Sequence, residues 1–351
     1  MKRASVLLSL AVALVLGACG TEPAAPPAET PSQTLVYGTS ALDAEAARRL
    51  EREVPGVRIV TGLNRQTARE QAATFHGLDA HLLTPETLAA AKHLRWVQSW
   101  SAGVDRYLRL DGLMKNEAIT FTNMKGAHGP VISEHVFALL LHLRRDLAPY
   151  LEAQRSALWN RRAGGGQKAL AGSTLLVAGM GGIGREIAKR GKAFGMEVLA
   201  TVRTARPAPG YVDELGTAED LDRFLARADV IAIALPLTPA TRGLFDAERL
   251  AKAKEGAVLI NIARGAIVDT DALMAALRSG RLAGAGLDVT DPEPLPDGHP
   301  LWSMKNVIIT PHVAGRAELT RTRRLDVFEK NMARFAEGRA MINVVDKEAG
   351  Y

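Results

Sequence analysis

One stretch of this chain indicates its fold: Thr174-Leu175-Leu176-Val177-Ala178-Gly179-Met180-Gly181-Gly182-Ile183-Gly184. The apolar run at its start predicts a buried strand, the glycines predict a tight turn, and segment 185–194 predicts a helix. A helix that begins directly after such a turn presents backbone N–H groups and the positive end of its dipole to an anion. We therefore predict that the pyrophosphate of a dinucleotide binds here, against Gly179, Gly181, Gly182, Ile183 and Gly184.

The residues at the end of the next predicted strand, 196–202, indicate whether NAD or NADP is preferred. An acidic residue about 20 residues beyond the glycines would hydrogen-bond the ribose of NAD. This chain has Val202 there, followed by Arg203 and Arg206. Guanidinium groups can bind a 2′-phosphate, so we predict that NADP(H) is preferred and that NAD(H) is possible. The alternative is that both arginines are solvated surface charges in a proline-rich loop.

The composition indicates a globular protein and argues against nucleic acid as a partner. The 351 residues are 47% hydrophobic, which is ample for one large or two medium domains with packed cores. The formal net charge is +6, but the 44 Lys and Arg are dispersed among 38 Asp and Glu without a run of five or six basic residues. Aromatic residues, which would stack on bases, make up only 5%. We predict no metal site.

The N-terminus has the pattern of an export signal. Lys2 and Arg3 precede an apolar run from Val6 to Leu16, which is shorter than the ~20 residues of a membrane-spanning helix. Leu16-Gly17-Ala18-Cys19 has the form of a lipobox, and Cys19 is the only cysteine. We predict a signal peptide at 1–18, lipidation of Cys19 and a Pro- and Ala-rich tether at 19–33, which makes the protein an exported, membrane-anchored lipoprotein. The alternatives are an ordinary cleaved signal or a membrane anchor, and a cytoplasmic protein if the signal is not used.

From residue 34 onward, strand-like and helix-like segments alternate. In the first part, strands are predicted at 35–37, 57–61, 80–84, 95–100 and 118–122, and helices at 43–53 and 85–91. A strongly apolar helix at 130–143 follows, then strands at 174–178, 196–202, 230–235, 257–262, 285–289 and 307–309, and a last helix at 319–337. This alternation predicts an α/β fold with doubly wound parallel sheets.

Four polar side chains lie at or beyond the ends of predicted strands in the second part. Arg264 follows strand 257–262, Asp288 lies at the end of the next strand, Glu293 lies in a proline-rich turn, and His312 follows the last strand. Ligands of α/β sheets bind at the carboxyl ends of strands. An arginine for a substrate carboxylate, a histidine for proton transfer and a carboxylate to hold that histidine suit hydride transfer to a 2-keto acid. Taken singly, each residue is better explained as a surface ion pair, a turn residue or a capping histidine.

The sequence around these residues resembles the D-isomer-specific 2-hydroxyacid dehydrogenases. The similar motifs are ALPLTPATRG at 234–243, NIARGAIVD at 261–269, GAGLDVTDPEPLP at 284–296, NVIITPHVAG at 306–315, SAGVD at 101–105 and VISEH at 131–135. The resemblance runs from about residue 34 to the C-terminus. It implies two similar Rossmann-like or flavodoxin-like lobes and the interconversion of a small 2-keto acid with its D-2-hydroxy acid, as in glyoxylate and hydroxypyruvate reductases.

The resemblance also implies roles for individual residues. His312 is implied to be the acid/base, Glu293 its partner, and Arg264 the group that binds the substrate carboxylate and polarises its carbonyl. The backbone N–H groups of Ala102 and Gly103 would bind the other side of that carboxylate. The remaining implied cofactor contacts are Asp288, which would orient the nicotinamide carboxamide, and Leu235, Pro236, Ile262 and Ala263. A glutamine in place of Glu293 would have indicated the formate-oxidising branch.

The family's architecture implies a substrate lobe made from both chain ends, 34–124 plus 312–351, and a dinucleotide lobe at 125–311. The two crossovers would act as hinges. Segment 130–143 forms dimers in relatives, so a homodimer is expected, although burial within one chain also explains its apolar residues. Trp100 either shapes the substrate pocket or belongs to the core. The competing function is a nucleotide-sensing binding protein of the same fold with little turnover.

Overall fold

The computed structural model describes residues 34–351, whose named strands form two separate sheets. The predicted signal peptide, Cys19 and the tether up to residue 33 lie outside these residues. Every strand pair in both sheets is parallel. Parallel strands require crossover connections, which is why helices alternate with strands along the chain. The prediction of an α/β protein with two parallel sheets is confirmed.

The first sheet has five strands in the order β2-β1-β3-β4-β5. They are β1 (Leu35–Gly38), β2 (Val57–Val60), β3 (Gly77–Asp79), β4 (Trp96–Gln98) and β5 (Thr120–Thr122). This is the flavodoxin-like strand order. The helices of this lobe are α1 (Ala44–Glu53), α2 (Arg65–Glu70), α3 (Pro85–Ala90) and α4 (Asp111–Met114). Asp43 caps α1 by accepting hydrogen bonds from the N–H groups of Glu45 and Ala46.

The predicted strand at 80–84 is wrong. The strand is β3, and Ala80–Leu82 form a 3₁₀ helix after it. The true strand is only three residues long and fully buried, yet it ends in Asp79. Because the Asp79 carboxylate accepts hydrogen bonds from Tyr37 and Thr39, a charged residue is tolerated inside the lobe. A hydrophobic pattern cannot show that such donors are present.

The second sheet has seven strands in the order β12-β11-β10-β9-β6-β7-β8. They are β6 (Thr174–Ala178), β7 (Glu197–Thr201), β8 (Glu214–Gly216), β9 (Val230–Ile233), β10 (Ala257–Asn261), β11 (Leu282–Leu287) and β12 (Val307–Ile309). The helices are α7 (Gly182–Ala193), α8 (Leu221–Leu225), α9 (Ala247–Ala251) and α10 (Thr270–Ser279). Apart from the added strand β12, this is the order of dinucleotide-binding Rossmann sheets. Strand β8 was not predicted, and β11 begins three residues before the predicted start at 285.

Two helices lie between β5 and β6, namely α5 (Gly129–Arg144) and α6 (Ala148–Arg155). In α5, Phe137 and Leu140 are buried in the same cluster as Leu175 and Val177 of the second sheet. Packing within one chain therefore accounts for the apolar residues that α5 contributes to this cluster. No helix among residues 34–351 is long and apolar enough to cross a membrane.

The last helix, α11 (Glu318–Ala336), returns to the first sheet. Its buried Phe328 packs against Tyr37 and Trp96, with ring centres 5.1 and 5.6 Å apart. The segment after α11 continues on this lobe, because the N–H of Val345 donates to the carbonyl of Phe121. The chain thus passes from the first lobe to the second before α5 and returns after β12.

Candidate active site

The glycine turn after β6 has the geometry of an anion site. A Cβ atom on Gly184 would lie 1.9 Å from the carbonyl oxygen of Gly179, so only glycine allows α7 to approach β6 this closely. Gly181 precedes α7, and no side chain hydrogen-bonds the first N–H groups of the helix. A Cβ on Gly181 would meet nothing within 4 Å. Free N–H groups facing open space fit the pyrophosphate of a dinucleotide.

The other predicted cofactor residues lie at the same edge of the second sheet. Strands β6, β9, β10 and β11 are parallel neighbours, so the segments after them meet at one edge. These segments contain the glycine turn with Gly182 and Ile183, then Leu235 and Pro236, then Ile262 and Ala263, and then Asp288. The residues present can therefore hold a dinucleotide along this edge.

The two arginines after β7 have different surroundings. The Nη2 atom of Arg206 donates to the carbonyl of Met180 at 3.1 Å, which places this guanidinium beside the glycine turn. The guanidinium carbon of Arg203 lies 5.1 Å from the centre of the Tyr351 ring. Neither arginine forms an ion pair with a carboxylate of residues 34–351 under a 4 Å limit, so both charges can meet an anionic ligand.

The structure brings His312 and Glu293 together. The Nδ1 atom of His312 lies 2.7 Å from Oε1 of Glu293. Both side chains are partly open to solvent, with exposed fractions of 45% and 41%. Because Nδ1 is engaged, Nε2 is the ring nitrogen left for a ligand. This is the arrangement of a histidine acid/base oriented by a carboxylate.

The loop that carries His312 is fixed by Asp288, whose side chain is only 2% exposed. One carboxylate oxygen accepts from the Thr310 hydroxyl at 2.6 Å and the N–H of Val313 at 2.9 Å, and the other from the N–H of Ala314 at 3.0 Å. The N–H of His312 donates to the carbonyl of Asp288 at 2.8 Å. Both carboxylate oxygens are therefore engaged within the protein, in addition to the cofactor contact expected of Asp288.

Arg264 is held by an ion pair between the lobes. Its Nε and Nη2 atoms donate to Oδ1 of Asp105 at 3.0 and 2.8 Å, and Nη1 donates to the carbonyl of Ala263 at 2.7 Å. These bonds use three of the five N–H groups of the guanidinium. The remaining two lie on the two terminal nitrogens, which form the fork that binds one carboxylate with two bonds.

The predicted substrate loop lies against this arginine. A Cβ atom on Gly103 would lie 1.9 Å from Nη2 of Arg264, so a larger residue would displace the guanidinium. The carbonyl of Ala102 accepts a hydrogen bond from Asn123 at 3.0 Å, which fixes the loop. Gly103 therefore lies against Arg264, and Ala102 precedes it in a loop that Asn123 holds in place.

Sequence reasoning assigned no role to Asp105, Asn123 or Thr310. Asp105 lies in the quoted motif at 101–105, so its charge was a visible signal, but the pairing with Arg264 spans 159 residues. Within residues 34–351, no group of three or more His, Cys, Asp or Glu is arranged to hold a metal ion.

Comparisons with known proteins give one family. The model of "D-isomer specific 2-hydroxyacid dehydrogenase, NAD binding domain" matches residues 137–314. The chain is 38% identical over 288 residues to the glycerate dehydrogenase of Methylorubrum extorquens, covering 79% of this chain and 87% of that protein. It is 36% identical over 271 residues to the glyoxylate reductase of Aeropyrum pernix, covering 75% and 79%.

A solved structure agrees with these sequence relatives. The NADPH-dependent glyoxylate/hydroxypyruvate reductase of Sinorhizobium meliloti, in complex with NADP and sulfate, superimposes with a TM-score of 0.76 at 30% identity. The match covers 91% of this chain and 100% of that structure. Two parallel sheets, a glycine turn and the Arg264, Glu293 and His312 set thus occur in a chain whose relatives share one chemistry. The protein belongs to the D-isomer specific 2-hydroxyacid dehydrogenase family and is an NAD(P)-dependent oxidoreductase of 2-keto and 2-hydroxy acids.

Proposed function

We propose that the protein reduces small 2-keto acids of the glyoxylate and hydroxypyruvate type to D-2-hydroxy acids, with NADPH as the preferred reductant. The observation that carries this proposal is the pairing of His312 with Glu293 at the sheet edge that also carries Arg264, whose two terminal nitrogens each keep one N–H group for a ligand. An acid/base and a carboxylate-binding group are what reduction of a 2-keto acid requires. The named activities of the relatives support the same substrate class.

The residues divide the reaction between them. When bound, NADPH supplies the hydride that attacks the keto carbon. His312 donates a proton from Nε2 to the carbonyl oxygen, so that the product is a neutral alcohol, and Glu293 holds the imidazole through Nδ1. Arg264 binds the substrate carboxylate and stabilises the negative charge that develops on the oxygen. The backbone N–H groups of Ala102 and Gly103 bind the opposite side of the carboxylate.

We expect His312→Ala to lower turnover of glyoxylate about 10² to 10⁴-fold, the usual contribution of a positioned acid/base, with NADPH affinity nearly unchanged. Arg264→Ala should lower turnover and raise KM, because the carboxylate then loses its bidentate partner. Steady-state kinetics at saturating NADPH and a separate NADPH titration measure these effects. His93→Ala, which removes an exposed histidine, is the matched control. Turnover like that of the wild type in His312→Ala would contradict the mechanism.

NADPH preference is supported by Val202, Arg203 and Arg206. Val202 has no carboxylate that could hydrogen-bond the ribose of NAD or repel the 2′-phosphate of NADP. Arg206 lies beside the glycine turn, where its Nη2 donates to the carbonyl of Met180. The S. meliloti reductase is NADPH-dependent, and its structure contains NADP. The two guanidinium groups would neutralise the 2′-phosphate that distinguishes NADP from NAD.

Replacement of both arginines should weaken this preference. Hydrogen bonds to charged groups contribute about 1.5 to 3 kcal/mol, so Arg203→Ala/Arg206→Ala is expected to shift the Kd ratio of NADPH to NADH at least tenfold toward NADH. Fluorescence titration with each cofactor measures the ratio. Arg161→Ala/Arg162→Ala removes two exposed arginines outside the glycine turn and should leave the ratio unchanged. An unchanged ratio in Arg203→Ala/Arg206→Ala would show that these arginines are solvated surface charges that do not bind the cofactor.

A homodimer is the second part of the proposal. The residues around and after α6 expose large apolar side chains: Leu147, Leu151, Leu158 and Trp159, with exposed fractions of 40%, 43%, 62% and 91%. Such side chains close together in sequence are typical of a protein interface. A second copy of the chain would remove them from water.

Sedimentation velocity tests the dimer. We expect the wild-type protein to sediment with twice the mass of one chain and Leu158→Ser/Trp159→Ser to shift it toward the monomer, because the apolar contact is lost. Trp302→Ser, at an exposed tryptophan between β11 and β12, is the control and should remain dimeric. A monomeric wild type, or a double variant that dimerises as tightly, would contradict the assignment of this surface.

Export and anchoring form the third part, and their support is the sequence Leu16-Gly17-Ala18-Cys19. A mature chain that begins at Cys19 would carry acyl chains, and two such chains hold a protein stably on a membrane. Segment 19–33 would then separate the catalytic lobes from the bilayer.

Cys19→Ser is expected to abolish lipidation and to leave the precursor uncleaved or the protein released. Cell fractionation and mass spectrometry of the N-terminus measure the outcome, with Thr21→Ser as the control. An unmodified Cys19 in a protein that keeps residues 1–18 and stays in the cytoplasm would disprove export without affecting the catalytic assignment.

A further inference from the structure

One arginine near the substrate loop has no polar partner. Arg324 lies in α11, and its guanidinium carbon is 5.3 Å from the centre of the Trp100 ring. The side chain is half-buried, and none of its N–H groups forms a hydrogen bond or ion pair with another group of residues 34–351. By contrast, Arg323 donates to the carbonyl of Gly126, and Arg321 faces Asp43. The five donors of Arg324 are available to a ligand.

Arg324 lies at the part of the first lobe where a small molecule would bind. From β1 the chain runs to β2 on one side, whereas β3 pairs with β1 on the other. Small molecules bind in α/β sheets at the carboxyl ends of the strands where the order reverses in this way. Asp79 ends β3, and the indole N–H of Trp100 donates to its carboxylate at 2.7 Å. Trp100, and with it Arg324, is therefore anchored at this point.

Among residues 34–351 no group is hydrogen-bonded to Arg324, although burial lowers the pKa of its guanidinium and the charge of Asp79 raises it. The Asp79 carboxylate accepts from the Tyr37 hydroxyl, the Thr39 hydroxyl and the Trp100 indole, and burial raises its pKa. Burial, together with the charge of Arg324, lowers the pKa of His128 to about 4, so His128 is neutral near pH 7. The guanidinium of Arg324 therefore lies beside Trp100 with no carboxylate of residues 34–351 within 4 Å of it.

We propose that Arg324 binds a second anionic group on the substrate, so that the preferred substrates are 2-keto acids with a carboxylate or phosphate on the side chain. This rests on the proposed function, in which Arg264 and the N–H groups of Ala102 and Gly103 hold the first carboxylate. Trp100 lies two residues before Ala102, and two residues span about 7 Å at most. The proposal therefore requires a substrate whose second anionic group extends from that loop across Trp100 to the guanidinium, as the second carboxylate of a 2-keto dicarboxylate would.

Three pairs of substrates with equal numbers of carbon atoms test the proposal. They are oxaloacetate with 2-ketobutyrate, 2-ketoglutarate with 2-ketovalerate, and 3-phosphohydroxypyruvate with hydroxypyruvate. In wild type we expect at least one pair to show a tenfold higher kcat/KM for the anionic member. A preference in either of the first two pairs indicates a subsite for a carboxylate, and a preference in the third pair indicates a subsite for a phosphate.

Substitution of the arginine should remove this advantage. In Arg324→Met, kcat/KM for the anionic member should fall about tenfold or more, mainly through KM, since a charge-assisted bond is lost. The neutral member should stay within threefold of wild type, which also shows that the variant folds. Arg324→Lys should keep part of the advantage, and Arg323→Met, on the adjacent residue, should keep all of it.

The failure of this proposal is distinct from the failure of the proposed function. Equal anionic-to-neutral ratios in wild type and Arg324→Met would overturn the role of Arg324 while turnover persists. If neither protein turns over any 2-keto acid with NADPH, calorimetric titration of the same pairs into each protein gives the ratio as affinities. A tenfold weaker affinity of Arg324→Met for the anionic member supports the subsite, and an equal affinity excludes it.

Discussion

The hydrogen bonds of the Asp288 carboxylate are the constraint on which the active site depends. His312 has a φ of 52°, a left-handed conformation that residues other than glycine rarely adopt. Such a conformation persists only where the surroundings impose it. Here the surroundings are Asp288, whose carboxylate holds the N–H groups of Val313 and Ala314 and whose carbonyl holds that of His312. With the backbone fixed, Nδ1 of His312 lies 2.7 Å from Oε1 of Glu293. Nε2 is then the nitrogen that can exchange a proton with a substrate.

A second constraint joins the lobes. Arg264 belongs to the second lobe, and Asp105, which accepts two of its N–H groups, belongs to the first. Two of the three hydrogen bonds that orient Arg264 therefore form only when the lobes are close, and a movement that separates them would leave only the bond to the carbonyl of Ala263. Lobe closure over a substrate commonly completes a catalytic site in this way. The crossovers before α5 and after β12 are the two places where the chain passes between the lobes, and a closing movement would have to bend the chain there.

Much of this arrangement could be predicted from the sequence, for reasons that are local. The run 174–184 specifies strand, turn and helix within one short segment, and the parallel topology then brings the ends of β10, β11 and β12 to one edge with it. The position of Arg264, Asp288 and His312 along that edge follows from their place after strands. What could not be predicted depends on distant partners. Asp79 can end a buried strand because hydrogen bonds from Tyr37 of β1 and from Trp100 offset the free-energy cost of burying its carboxylate. Asp105 pairs with Arg264, which lies 159 residues away in the sequence. Hydrophobic periodicity carries no information on such pairs.

The roles of His312, Glu293 and Arg264 make the protein a catalyst that transfers hydride to a 2-keto acid with one stereochemical outcome. The most direct measurement is incubation of the purified protein with hydroxypyruvate and NADPH, with the oxidised cofactor and the glycerate enantiomers quantified together. We expect one D-glycerate for each NADPH oxidised over many turnovers. Cofactor binding without its oxidation, or formation of L-glycerate, would contradict it.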